Sequence, residues 1–522
     1  MKVSLIGTYE TPEATGLRIV SAFLKARGHR VRMIFLTARR TARAATAYPP
    51  AVIEQVLAGV RDCDLIGVGL MTGCYYLGRD LTDAIHRAGI KAPVIWGGVH
   101  ATVSPESCID HADIVCIGEG EWPMLDLVET LERGGDYTRI ANLWVRRNGK
   151  VVRNDIRPLL ENLDELPPPD YQIDQDHYVV QNRALVAATP ANMGHTLTRY
   201  RILTTRGCPF LCAFCCNSRW RNLYQGKGSW VRRRSIGHVI AELEDIKARF
   251  PSVNSVAITD DTFFLREEEE LEAFARLYRQ RIALPFDAYA HPATLTGRKL
   301  EIVTGCGCWR IKMGIQAGND ETNFNIFNRR IPLAKVVQAI ELLDRFPTLH
   351  KEYQYITCNP YESDEQRKQT LHFIAAHHHG QDRVAVFPLA FFPGTELYQR
   401  AKADGILKTE QRDIYQRSYT SIAKRRFDWL GYHVLLLKAV VGLRRYGVPA
   451  GFAHRFIDVM LARTVRWCLD RRAVMLAAVG AYLAGRKIHK SLLQTFVRPF
   501  RKRRKSSAGR ENQDEPAFTH SA

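Results

Sequence analysis

Apolar residues in this chain fall into short runs separated by stripes of helical period. Lys2–Ile6, Val31–Leu36, Leu65–Leu70, Pro93–Trp96 and Ile114–Ile117 have the length and composition of buried strands. Between the first two, Leu17, Val20, Phe23 and Leu24 recur at helical spacing, and Gly28 supplies a stop signal. Leu81–Ala88 reads as another helix, closed by Gly89. This alternation predicts a doubly wound parallel sheet over residues 1–135. Such sheets hold ligands at the carboxyl ends of their strands, where glycine turns allow close approach. Three turns qualify: Gly69-Leu70-Met71-Thr72-Gly73, Gly97-Gly98-Val99-His100 and Gly118-Glu119-Gly120-Glu121.

Residues 136–199 read as a connector. Leu143–Val152 is a hairpin with Asn148-Gly149 at its turn, and Leu163–Tyr171 is a linker stiffened by three prolines. From 200 to 405 the strand–helix alternation returns. Strands are expected at Tyr200–Thr204, Val256–Thr259, Phe286–Tyr289, Arg310–Ile315, Tyr353–Thr357 and Val384–Phe387. Ser235 is placed to cap a helix with apolar positions from Ile236 to Phe250, which Pro251 ends. Six such units suit a partial (β/α)6 barrel with its chemistry at the carboxyl ends of the strands. Residues 406–505 read as helical, with apolar runs at Tyr432–Val441 and Ala473–Leu483 bracketed by Arg and Lys, then a basic run Arg501–Lys505; 506–522 read as disordered.

Charge sharpens the division. The chain carries a net +20, and the segment Lys424–Arg510 holds 21 Lys/Arg against three acids. The basic character therefore belongs to the tail. Short apolar helices with basic flanks suit a membrane interface; a nucleic-acid patch or a helical cap with a solvated face are the alternatives. No aromatics interleave with Arg501–Lys505, which argues against stacking on RNA and favours contact with a membrane surface or a lipidic substrate. The N-terminus begins in a strand rather than a secretory signal, and no apolar run reaches the ~20 residues of a spanning helix. A cytoplasmic protein is expected, at most peripheral at the inner face of the membrane.

Candidate chemistry concentrates in Thr204-Thr205-Arg206-Gly207-Cys208-Pro209-Phe210-Leu211-Cys212-Ala213-Phe214-Cys215. Three cysteines in one loop converge on a metal centre, and soft sulfur ligands select zinc or an iron–sulfur cluster. The CxxxCxxC spacing, with Phe214 before the last cysteine, resembles the cluster loop of the radical S-adenosylmethionine (radical SAM) superfamily. The first domain looks like the flavodoxin-like cobalamin-binding domain that precedes many such enzymes, in Trp96–Thr102 and Ile117–Glu121. The usual DxHxxG cobalamin motif is absent from Gly7–Pro12. The resemblance thus implies either cobalamin held without a histidine ligand or a domain that has lost the cofactor.

The resemblance implies a 4Fe–4S cluster on Cys208, Cys212 and Cys215, its open iron taking the amino and carboxylate groups of S-adenosylmethionine, which one electron cleaves to a 5′-deoxyadenosyl radical. It places Phe214, Asp260, Asp261, Gln316 and Arg329 around that cofactor. Asp260-Asp261 would hold the ammonium, Gln316 (in Gly314–Gly318) the ribose or carboxylate, and Arg329 a carboxylate. It places Met71, Thr72, Gly73, Gly97, Gly98, Gly118 and Glu119 around cobalamin. The turn after the fifth barrel strand, Cys358–Glu362, lacks the family's glycines. Cys216 is expected to point away from the cluster as a small buried residue. The readings are a cobalamin-dependent methyltransferase acting on an unactivated carbon, a radical SAM cyclase or rearrangement enzyme, or an RNA-associated Fe–S protein. The expected partners are a small or lipidic substrate and an electron donor such as flavodoxin or ferredoxin, with membrane contact through residues 424–505 and no nucleic acid.

Overall fold

The computed structural model describes residues 1–9, 11–37, 47–193, 197–380, 382–415 and 429–462. The chain divides into two units, Met1–Ala453 and His454–Ala522.

In the first unit, β1 (Lys2–Gly7), β2 (Arg30–Phe35), β3 (Leu65–Gly69), β4 (Val94–Gly97) and β5 (Ile114–Cys116) pair in parallel in the order β5-β4-β3-β1-β2. They are almost wholly buried on both faces, which is why they read as continuous apolar runs. The helices Thr15–Lys25 and Glu121–Glu132 cover one face, over a core that includes Val3, Leu5, Phe23 and Ile95. Pro50–Val60 and Tyr75–Arg87 cover the other, over Ile6, Ile34, Val68 and Trp96. That second core runs on into the barrel through Ala213, Tyr224, Phe327 and Leu397, so the two α/β layers share apolar packing.

Residues 136–199 build four more strands onto this sheet. β6 (Leu143–Arg147) and β7 (Lys150–Arg153) form the hairpin, with Asn148 and Gly149 at φ 52° and 73°, the left-handed pair such a two-residue turn demands. β6 lies antiparallel to β5. β8 (His177–Gln181) joins β2 in parallel and β9 (Ala184–Ala187) closes that edge. The result is a nine-stranded sheet.

The second sheet is parallel throughout, in sequence order: β10 (Arg199–Ile202), β13 (Ser255–Ile258), β14 (Phe286–Ala290), β15 (Cys308–Gln316), β16 (His350–Thr357) and β17 (Arg383–Pro388). Between β10 and β13 a small antiparallel ribbon, β11 (Thr205–Arg206) and β12 (Arg232–Arg233), carries the start of the cysteine loop. The helix Ile236–Arg249 follows, its cap Ser235 Oγ accepting from the His238 amide at 3.2 Å. Low in the barrel, Asp287 is fully buried and pairs with Arg199, with Arg310 at 3.3 Å and with Lys312 at 2.5 Å. Arg310 also reaches Glu352 at 3.9 Å, so this end of the sheet holds a buried network of three cations and two acids.

Past the barrel come the helices Trp429–Arg445 and Ala450–Leu461; the second unit is described only as far as residue 462. The apolar run Ala473–Leu483, the basic run Arg501–Lys505 and residues 506–522 lie outside the described residues. Among the described residues, no helix is long and apolar enough to cross a membrane.

Candidate functional site

The cysteine loop leaves β11 through Gly207, at φ +91°, where a Cβ would lie 2.0 Å from the Trp230 carbonyl oxygen; no other residue fits. Its backbone is held from four directions. Trp230 Nε1 donates to the Cys208 carbonyl at 2.8 Å, and Arg221 to that of Pro209 at 2.6 Å. Asn328 Nδ2 donates to Leu211 O at 3.1 Å. The Ala213 amide donates to Phe327 O at 2.8 Å, and its carbonyl accepts from Leu397 at 3.1 Å. These contacts shape the loop.

Cys208, Cys212 and Cys215 carry free thiols close enough to raise one another's pKa. Burial pushes the Cys208 thiol up to about 12, so thiolate forms as a metal displaces the proton. Among the described residues, no three His, Cys, Asp or Glu side chains gather about a single ion. A cube differs, taking each thiolate on a separate iron. Three soft donors in one shaped loop fit it. Cys216 opens the helix Cys216–Leu223, and, against expectation, its half-buried thiol hydrogen-bonds to that of Cys215. Adjacent side chains at a helix start are close enough to touch. Cys306 and Cys308 are buried elsewhere, their thiols on the carbonyls of Val303 and Arg310.

Gln316 and Arg329 come together beside the loop. Gln316, at φ +76° on a β-bulge, folds its amide over Gly314, whose carbonyl accepts from Arg329 at 2.6 Å. Arg329, 6% exposed, also reaches the Cys212 thiol. Phe214 packs edge-on against Phe327 at 5.1 Å. The glycine-poor turn after β16 keeps a glycine-like bend, with Cys358 at φ +56°.

The two aspartates part company. Asp261 is solvent-exposed, lies close enough to Cys208 and Cys215 to raise their pKa, and accepts from Asn217. It is free to take an ammonium. Asp260 is not. Fully buried, it accepts from the amides of Thr204 and Thr205 at 2.6 and 3.1 Å and from Thr204 Oγ1 at 2.5 Å. Just past the end of β13, these three bonds tie it to Thr204 and Thr205, so that it pins the entrance of the cysteine loop.

At the carboxyl crest of the first sheet, Met71 is 51% exposed and Gly98 is exposed at φ +97°. A Cβ on Gly97 would meet nothing nearer than 3.9 Å. Thr72 and Gly73 form a single 3-10 turn beside them, Thr72 buried with its hydroxyl 3.3 Å from His100 Nδ1. This bare backbone with one thioether fits the flat face of a corrin. It offers no imidazole: His100 is wholly buried, its other nitrogen 3.3 Å from Ser107 Oγ, and the loop after β1 lays Tyr9 against Gly69. The turn after β5 is otherwise engaged. At Gly118 a Cβ would strike Tyr224 Oη, which accepts from the Glu119 amide at 2.9 Å. Both Glu119 oxygens pair with Arg232, at 2.6 and 3.0 Å, and one also with Arg206 at 3.1 Å, while Glu121 takes Arg206 at 2.6 Å. Gly118 and Glu119 therefore face the barrel as an interdomain clamp, and Met71, Gly73, Gly97 and Gly98 remain as the surface that would hold cobalamin.

Two features escaped the sequence reading. The clamp arginines Arg206 and Arg232 sit on the ribbon two residues before Cys208 and across from it; no spacing pairs them with Glu119. His291, just past β14, stacks on Phe210 of the cysteine loop with ring centroids 3.6 Å apart. A lone histidine at a strand end was the only available signal.

Residues 202–374 match the Radical SAM superfamily, and residues 3–128 match the B12 binding domain. A protein of Pyrococcus horikoshii named as an uncharacterized methyltransferase is 27% identical over 366 residues, 69% of this chain and 73% of that one. The anaerobic magnesium-protoporphyrin IX monomethyl ester cyclase of Cereibacter sphaeroides is 20% identical over 433 residues, 76% of this chain and 66% of that one. In fold, the chain is similar to the radical S-adenosylmethionine methyltransferase TsrM from Kitasatospora setae, solved with cobalamin and a [4Fe-4S] cluster bound: TM-score 0.60 at 18% identity, over 77% of this chain and 75% of that one. The chain therefore carries a B12-binding domain over residues 3–128 followed by a radical SAM domain over residues 202–374, the make-up of a B12-dependent radical SAM enzyme.

Proposed function

We propose that the protein is a cobalamin-dependent radical SAM methyltransferase that places a methyl group on an unactivated carbon. The observation that carries this reading is the clamp: Glu119 and Glu121 of the B12-binding domain hold Arg206 and Arg232 at the entrance of the cysteine loop. A methyl carrier on the crest and a sulfonium at the loop would then stand in one fixed relation. When bound, the cluster supplies the electron that breaks the sulfonium, and cobalamin supplies a methyl carrier.

The chain's own residues hold and shield. Cys208, Cys212 and Cys215 would ligate the cluster, Asp261 would take the ammonium of S-adenosylmethionine, and Arg329 its carboxylate or a neighbouring anion. Asp260 and Trp230 keep the loop in shape. The continuous core through Ala213, Phe327 and Leu397 keeps water from the loop's inner side. An external one-electron donor of the flavodoxin or ferredoxin class completes the reading, and the charge of residues 424–505 supports contact with an anionic membrane surface.

Protein reconstituted without air with iron, sulfide and cobalamin, then given S-adenosylmethionine and reductant, is expected to yield both 5′-deoxyadenosine and S-adenosylhomocysteine, the latter at least stoichiometric with cobalamin. Deoxyadenosine alone would overturn methyl transfer and favour the second reading, a radical SAM cyclase, which the similarity to the Cereibacter cyclase supports.

A further inference from the structure

Among the described residues, the large apolar side chains most open to solvent all lie past the barrel. Tyr446 is 65% exposed, Phe452 58% and Val459 63%. Single exposed hydrophobics are ordinary, but these three fall on one turn and on the helix that follows it. The helix Ala450–Leu461 has two apolar stripes where a surface helix has one. Ala453 and Ile457, one turn apart, are wholly buried. At about 3.6 residues per turn, Phe452, the half-buried Phe456 and Val459 line up on a separate stripe, with exposed Arg455 at its edge. Asp458, the helix's one acid, lies about 100° round from Val459 and off that stripe. The turn before the helix is held in place: Arg444 Nε donates to His378 O at 3.1 Å, and its terminal nitrogen to Val448 O at 2.6 Å. Exposed Arg445 and Tyr446 stand on that turn.

Charge decides what suits the open stripe. It sits within Lys424–Arg510, which carries 21 Lys/Arg against three acids. A second copy would bring the same positive field to the contact and be repelled. RNA takes rings on which its bases stack, and Val459 offers none. The interface of an anionic bilayer meets both properties at once: apolar side chains enter the acyl boundary while Arg445, Arg455 and the cations around them meet the headgroups. Among the described residues no helix is long and apolar enough to span a membrane, so a helix of this kind lies along the surface.

We propose that the Phe452–Phe456–Val459 face of the helix Ala450–Leu461 is the surface that enters the interface of an anionic membrane. This rests on the reading that residues 424–505 meet such a membrane, and it names the side chains that do so. It is independent of the cluster, of cobalamin and of the reaction.

The test sediments the full chain with vesicles of phosphatidylcholine alone and of phosphatidylcholine mixed equally with phosphatidylglycerol. The parent is expected to bind the anionic vesicles and to be released as salt rises. Changing Phe452→Ser and Val459→Ser together should weaken that binding about tenfold or more and leave the melting temperature unchanged. Phe452→Trp should tighten it about threefold, since indole favours the headgroup level. Val152→Ser, at an exposed apolar residue of the β6–β7 hairpin, should change nothing. Binding by the parent that the double variant keeps in full overturns the face alone and leaves the contact to the basic run. No binding by the parent overturns the membrane reading and the face with it. A lower melting temperature in the double variant would show that the protein itself covers the stripe, and so overturns the proposal. Retention of a labelled single-stranded RNA by the parent, lost in the double variant, would give the face to nucleic acid and overturn it as well.

Discussion

His100 and His291 occupy matching places in the two sheets, each just past the carboxyl end of a parallel strand and each buried. Their surroundings differ. Both ring nitrogens of His100 have hydroxyl partners, Thr72 and Ser107, and its ring is boxed by Tyr75 and Tyr415. His291 has one nitrogen engaged and one without a partner among the described residues, against a loop of three thiols. A buried polar group with every valence met is part of the frame; one with a valence unmet marks where something else is meant to sit. The same contrast separates Asp260 from Asp261 and the β5 turn from those of β3 and β4.

The largest effect that tests this contrast lies at the loop. Replacing Cys208, Cys212 and Cys215 together with alanine is expected to abolish bound iron and sulfide and all cleavage of S-adenosylmethionine; full retention of iron by that variant would end the comparison. Next is the aspartate pair. Asp260→Asn turns an amide toward three donors in a sealed site and should cost about 3 kcal/mol by denaturant titration. Asp261→Asn should stay within about 0.5 kcal/mol of the parent in stability yet weaken S-adenosylmethionine. Reversed effects would exchange their roles.

The clamp comes third. Burial alone would raise the Glu119 carboxyl, but Arg206 and Arg232 hold it below its ordinary 4.5. A lowered folded value means that this stabilisation is fully present above 4.5 and is lost as pH falls through the lower, folded value. Glu119→Gln should therefore cost about 2 kcal/mol at pH 7 and flatten the acid limb of the stability profile; an unchanged limb would show that the clamp carries no weight. The smallest effect is at the satisfied histidine. His100→Gln is expected to cost about 1 kcal/mol and to leave cobalt content unchanged, and loss of cobalt from a folded variant would make His100 a ligand.

Much of the frame was legible because period two and period 3.6 survive in buried elements. All five core strands of the first sheet and all six barrel strands lie within two or three residues of the positions read from apolar runs. The three adjacent histidines His377–His379 read as a polar helix end, but the helix stops at His377, and His378, extended and buried just past it, stacks on Tyr353 while His379 is exposed. What sequence could not show is pairing across distance. β8 is only half buried and β9 is a half-exposed edge strand, so their place next to β2 was hidden in a stretch that reads as linker. Asp260 and Asp261 are adjacent and chemically alike, and only the folded loop buries one on Thr204 and Thr205 and leaves the other exposed beside Asn217. Glu119 sits in a turn whose neighbours in sequence suggest a cofactor, while its partners are more than eighty residues away.

The frame of the cysteine loop has a consequence for how the molecule is made. Its four clasps come from Arg221, Trp230, the Phe327–Asn328 pair and Leu397, each later in the chain than the thiols they fix. A nascent polypeptide has all three sulfurs long before it has the last clasp, and a fragment ending short of Leu397 would own the ligands without their mould. The mould that would receive a cluster is thus complete only when the barrel is.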